Sequence, residues 1–123
     1  MKTGNKEALL LLANIYMQHG KRDKARLLLE ALQEVAADDP YVSRALAWIS
    51  VTDKRHADAL EHIRAWERME QHPSPEHRHI MLLIKASALS GVGREAEARV
   101  LLDDFLARNT GDISPAQASR HEI

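Results

Sequence analysis

The sequence predicts an all-α chain built from three stacked helical hairpins, and three observations predict it. Ala, Leu, Glu, Arg and Lys dominate, whereas only five Gly and four Pro interrupt the chain and β-branched residues are sparse, a composition of good helix formers. Residues 9–32, LLLLANIYMQHGKRDKARLLLEAL, read as two amphipathic helices joined by a tight turn at Gly20. In that stretch Ala13 and Ala25 sit where two helices would touch, with Tyr16 and Leu29 filling the space beside them. The pattern then recurs: Ala59 follows Ala25 by 34 residues and Ala98 follows Ala59 by 39. Recurrence at such a period is the signature of stacked supersecondary units.

Each element has its own local reason. The first helix is expected over residues 5–19, capped by Asn5, with Glu7 near its positive end. Residues 8–13 are apolar nearly all the way round, so this helix needs cover on more than one side. Gly20 ends it. The second helix spans about 22–37, with Ala25, Leu28, Leu29, Leu32 and Val35 at the helical period. Asp38-Asp39-Pro40 stops it and offers a cap to the next helix. The second pair is expected at about 40–53 and 55–71, and the third at about 75–91 and 94–108. Lys-Arg-His-Ala-Asp-Ala-Leu at 54–60 echoes Lys-Arg-Asp-Lys-Ala-Arg-Leu at 21–27. The extra residues of the longer spacing fit the loop around His72-Pro73-Ser74-Pro75-Glu76, where Ser74-Pro75 supplies a cap and a proline at the first helical position. The units are thus about 6–39, 40–73 and 74–110 of one domain. The segment 111–123 is either a loose tail or a short capping helix begun at Ser114-Pro115.

Composition excludes several classes of function. The formal charge of −1 provides no general attraction to nucleic acid or to anionic membrane. The absence of cysteine rules out disulfide staples and thiolate metal sites. The longest apolar run, residues 8–13, is too short to span a bilayer, and residues 1–6 do not begin a signal peptide. A soluble, cytoplasmic protein is the expectation.

The three alanine-centred units resemble the tetratricopeptide repeat over residues 6–110. Unit one carries Ala13, Tyr16, Gly20, Ala25 and Leu29. Unit three carries Ala86, Gly93, Ala98, Leu102 and Phe105. Unit two departs from the pattern: it keeps Ala47, Ala59 and Ile63, but Ser50 replaces the Tyr, Lys54 replaces the turn Gly and bulky Trp66 falls at a usually small site. The resemblance implies a short right-handed superhelix. Within that family the chain is similar to the small three-repeat chaperones of bacterial type III secretion systems. The similar segments are Leu9-Leu10-Leu11-Leu12, Tyr16-Met17-Gln18-His19-Gly20, Leu27-Leu28-Leu29-Glu30-Ala31-Leu32 and Arg44-Ala45-Leu46-Ala47. This similarity implies a chaperone that keeps a small export-related protein soluble before delivery.

A tetratricopeptide groove is lined mainly by first helices. In this register it receives Leu10, Asn14 and Met17 from unit one, Tyr41, Arg44, Trp48 and Val51 from unit two, and Ile80, Leu83 and Ser87 from unit three. The set is mostly apolar and suits a partner's amphipathic helix, with Trp48 as the central anchor. The competing reading makes Trp48 and Leu83 core residues of a closed bundle. An apolar groove rarely stays uncovered, so a homodimer is expected when no partner is bound. The carboxylate clamp that some tetratricopeptide proteins use is not matched. Asn14 fits one clamp position, but Leu10 and Leu83 stand where cations are needed, and a carboxylate held there would lose hydration without gaining a charged partner.

No catalytic set, metal site or cofactor is expected. His77 and His79 point about 200° apart on a helix, His56 and His62 also diverge, and the H-E-x-x-H spacing is absent. The histidines are read as exposed loop and surface residues. Gly91-Val92-Gly93 falls in a hairpin turn, where backbone geometry accounts for both glycines. Asp38-Asp39 and Asp103-Asp104 are read as solvated carboxylates, and the basic run 21–24 is interrupted by Asp23. The function expected is therefore partner binding by a chaperone. A scaffold or adaptor subunit is the alternative, and a small metal- or ligand-dependent enzyme the third reading.

Overall fold

A computed structural model describes residues 3–111, with side chains for 6–108. Among the described residues the chain forms six helices: α1 (Thr3–Gln18), α2 (Arg22–Val35), α3 (Pro40–Thr52), α4 (His56–Met69), α5 (Pro75–Gly91) and α6 (Glu95–Gly111). They pair as α1 with α2, α3 with α4 and α5 with α6, and successive hairpins meet through α2 on α3 and α4 on α5. The all-α hairpin-repeat architecture expected from the sequence is the one observed.

Identical turns close the three hairpins. Gly20, Lys54 and Gly93 take positive φ values of 73°, 63° and 85°. The next residue donates its N–H back to the preceding helix: Lys21 to the Tyr16 carbonyl at 2.8 Å, Arg55 to Ser50 at 2.7 Å and Arg94 to Leu89 at 2.8 Å. This is the Schellman closure, which satisfies orphan carbonyls at a helix end. Lys54 holds the same geometry without glycine, against the steric preference of an L-residue.

Helix starts follow their chemistry, with one correction. The Asp39 side chain accepts from the Tyr41 N–H at 2.9 Å and Ser74 from the His77 N–H at 3.2 Å, each just before a proline. Asn5, expected as a cap, lies inside α1, which begins earlier at Thr3. The second helix stops at Val35, sooner than expected, because the backbone at Ala36 (φ −138°, ψ 54°) leaves the helical region, although its N–H still completes the last helical bond to the Leu32 carbonyl. The last helix runs beyond 108 to Gly111. The question of a tail or capping helix falls on residues 112–123, outside the described residues.

The core lies in two clusters, one at each joint between hairpins. Ala13, Ala25, Leu29 and Leu32 pack with Val42, Leu46 and Ile49. Ala47, Ala59, Ile63 and Trp66 pack with Met81, Ile84, Leu89 and Ala98. Here α3 contributes to both clusters, so its apolar surface is consumed on two sides. The alanines at 25, 59 and 98 are all buried, which lets the two helices of each hairpin approach closely. Trp66, unusual for its position, is buried and donates its indole N–H to Glu70 at 2.8 Å.

Two further expectations need correction. Gly93 is explained by its positive φ, but Gly91 is required by contact: a Cβ there would collide with the His56 ring. His56 and His62 are half-buried, not surface residues. Burial pushes the His62 imidazole below its ordinary value of 6.5 despite the nearby carboxylates of Asp58 and Glu61.

Candidate protein-binding groove

The first helices of the hairpins position the candidate surface. On α3, Tyr41, Ala45 and Trp48 follow one another at helical spacing and share a face. On α5, Ile80 and Ile84 do the same, with Met81 beside them. Together with Met17 from α1 these side chains line an open cavity of about 260 Å³, to which Arg44 and His77 add the polar groups. Trp48 is 40% exposed and belongs to neither core cluster.

One carboxylate organises the wall of this pocket. Glu70, at the end of α4, accepts from Arg44 at 2.8 Å and from the Trp66 indole at 2.8 Å, and its carboxylate lies 3.8 Å from His77 Nδ1. It thereby joins α3, α4 and α5. Arg44 also lies over the Tyr41 ring, 5.9 Å from its centroid. Its side chain is largely buried, so its aliphatic stem packs while its charged end is held in one place, as suits an orienting group. The lining contains no carboxylate.

The ten residues expected to form one groove are divided by the structure. Met17, Tyr41, Arg44, Trp48 and Ile80 meet in this pocket. Leu83 and Ser87 line a second, larger opening of about 840 Å³ between α5 and α6, with Ala98, Leu102 and Leu106. Leu10, Asn14 and Val51 are half-buried and line neither pocket. The division has a simple cause: Leu83 and Ser87 repeat the positions of Arg44 and Trp48, but no described hairpin follows the third one. Ala45, His77, Met81 and Ile84 complete the first pocket and were not anticipated. The four-residue steps from Tyr41 to Ala45 and from Ile80 to Ile84 are the signal that would have found two of them.

Other polar groups serve the joints. Arg22 donates to Asp53 at 2.8 Å, and Arg26 donates to the same carboxylate, tying α2 to the end of α3. Asp39 is not a freely solvated carboxylate, since Lys6 lies 2.7 Å from it. His79 packs edge-on against Phe105, with ring centroids 5.3 Å apart. Among the described residues, no group of three or more His, Asp or Glu side chains is placed to hold a metal ion. No described helix is long and apolar enough to cross a membrane.

A family model of the tetratricopeptide repeat matches residues 1–49, which take in α1, α2 and most of α3. No curated protein and no solved structure matches the chain. Repeats of this kind generally mediate protein–protein interaction, because stacked hairpins leave an extended concave surface.

Proposed function

We propose that the chain is a cytoplasmic holding chaperone that takes an amphipathic helix of a small type III secretion component into the groove at α1, α3 and α5. The observation that carries the reading is the pocket formed by Met17, Tyr41, Arg44, Trp48 and Ile80. Apolar walls with exposed aromatic groups and one fixed cation suit a helix that buries an apolar stripe. The secretion assignment is supported by the resemblance of residues 9–12, 16–20, 27–32 and 44–47 to that chaperone family.

The test is copurification from the native cytoplasm with the wild type and with Trp48→Asp/Ile80→Asp, both exposed positions, after circular dichroism has shown that the variant folds. A single small protein that binds the wild type, is lost from the folded variant and is insoluble alone supports the chaperone. Retention by the folded variant removes the pocket from the reading. A second reading, an adaptor subunit of a fixed assembly, is favoured by the outer face of the third hairpin, which no described element covers. Copurification in one large assembly that never releases a small client would select it.

A further inference from the structure

Successive hairpins meet through one repeated joint. The outer helix of hairpin one offers Arg22, Arg26 and Leu29 to hairpin two: both arginines hold Asp53, and Leu29 is buried. One repeat later His56, Leu60 and Ile63 occupy the same positions; His56 lies against Gly91, and Ile63 is buried. In α6 these positions are Glu95, Arg99 and Leu102, and no described element covers them. Leu102 is exposed, as is Leu83 beside it.

Charge placement on this face points to its occupant. Arg99 and Asp103 stand one turn apart beside Leu102, and neither forms an ion pair among the described residues. Asp104, by contrast, is held by Arg108 at 3.2 Å. A two-fold contact sets residue i of one copy against residue j of the other, and j against i. Two α6 helices packed antiparallel about a two-fold axis level with Leu101 set Arg99 of each copy against Asp103 of the other, with Leu102 beside the axis. The face is complementary to itself, and a net charge of −1 opposes association only weakly. We propose that this outer face of α5 and α6 is a self-association surface whose occupant is a second copy of the chain. The inference does not depend on the function of the first pocket.

Sedimentation velocity on the full chain tests it through a charge exchange. The wild type should dimerise. Arg99→Asp and Asp103→Arg should each weaken the dimer about tenfold or more, because each sets like charges together twice. An equimolar mixture of the two variants should restore a dimer, since every contact then pairs opposite charges. Amide exchange on the wild type, which needs no variant to fold, should slow over residues 99–106 as concentration rises. A wild type that stays monomeric overturns the proposal and leaves the face to residues 112–123 or to a different protein. Folded single variants that dimerise like the wild type overturn it as well.

Discussion

The outer helices of the second and third hairpins, α4 and α6, share a register but have opposite surroundings. Ile63 of α4 is 1% exposed, whereas Leu102, its equivalent in α6, is 38% exposed. The residues are of one chemical kind, and the hairpin turns before them have the same backbone geometry. Only the next hairpin differs, since α5 covers this face of α4 and no described element covers the same face of α6. In a stacked-repeat protein the burial of an outer-helix position is thus conferred by its neighbour, and the last described unit exposes what the earlier ones hide.

The sharpest test of that contrast is truncation along the register. Leu29→Ala and Ile63→Ala should each cost about 2–5 kcal/mol in urea unfolding, because both side chains are fully enclosed. At dilutions where the chain is monomeric, Leu102→Ala should cost under about 1 kcal/mol. Equal losses at the three positions under those conditions would mean that the end face is covered within the monomer.

Gly91 probes the joint that α6 lacks. Gly91→Ala should destabilise by about 1–3 kcal/mol through its collision with His56, and much of that loss should disappear in a His56→Ala background. Additive losses in the double variant would break the assigned contact.

The hairpin turns give a smaller effect with a sign attached. Gly20→Ala and Gly93→Ala have open space for the methyl group but must hold it at positive φ, costing about 1 kcal/mol. Lys54→Gly should stabilise the second hairpin by about 0.5 kcal/mol, the relief of φ strain exceeding the lost chain entropy. Thermal unfolding of the three variants measures both signs.

The acid side of the stability profile gives the smallest effects. Burial pushes the Asp39 carboxyl up, but hydrogen bonds from Lys6 and the Tyr41 N–H, with the charges of Lys6 and Arg44, outweigh it and hold the group below 3.8. Its contribution is complete above that value and is lost as pH falls through the lowered pKa. Asp39→Asn should therefore flatten the profile in the most acidic range. His62, depressed below 6.5 by burial, favours the fold while neutral, so stability falls as pH drops below that value. His62→Gln should remove this separate step in the same titration, followed by circular dichroism.

Much of the repeat was legible in the residues. Ala25, Ala59 and Ala98 announce their register because only a small side chain lets paired helices touch, and Asp39-Pro40 and Ser74-Pro75 announce helix starts through their own hydrogen-bonding chemistry. The candidate site was less legible. Helical period correctly grouped Tyr41, Arg44 and Trp48 on one face, but period says nothing about which neighbouring unit completes a pocket. Hence Leu83 and Ser87, on repeat-equivalent positions, fall in a different opening. Glu70 was invisible because its partners Arg44 and His77 come from other helices.

By itself the sequence determined helix formation, three hairpins, their turns and the amphipathic face of each helix, because these depend on residues within a few turns of one another. Tertiary structure decided that Trp66 is enclosed and Trp48 open, that Gly91 must make room for His56, and that no described element seals Leu102 as α5 seals Ile63. Such outcomes depend on which surface arrives from a distant part of the chain. Local propensity carries no record of that arrival; packing does.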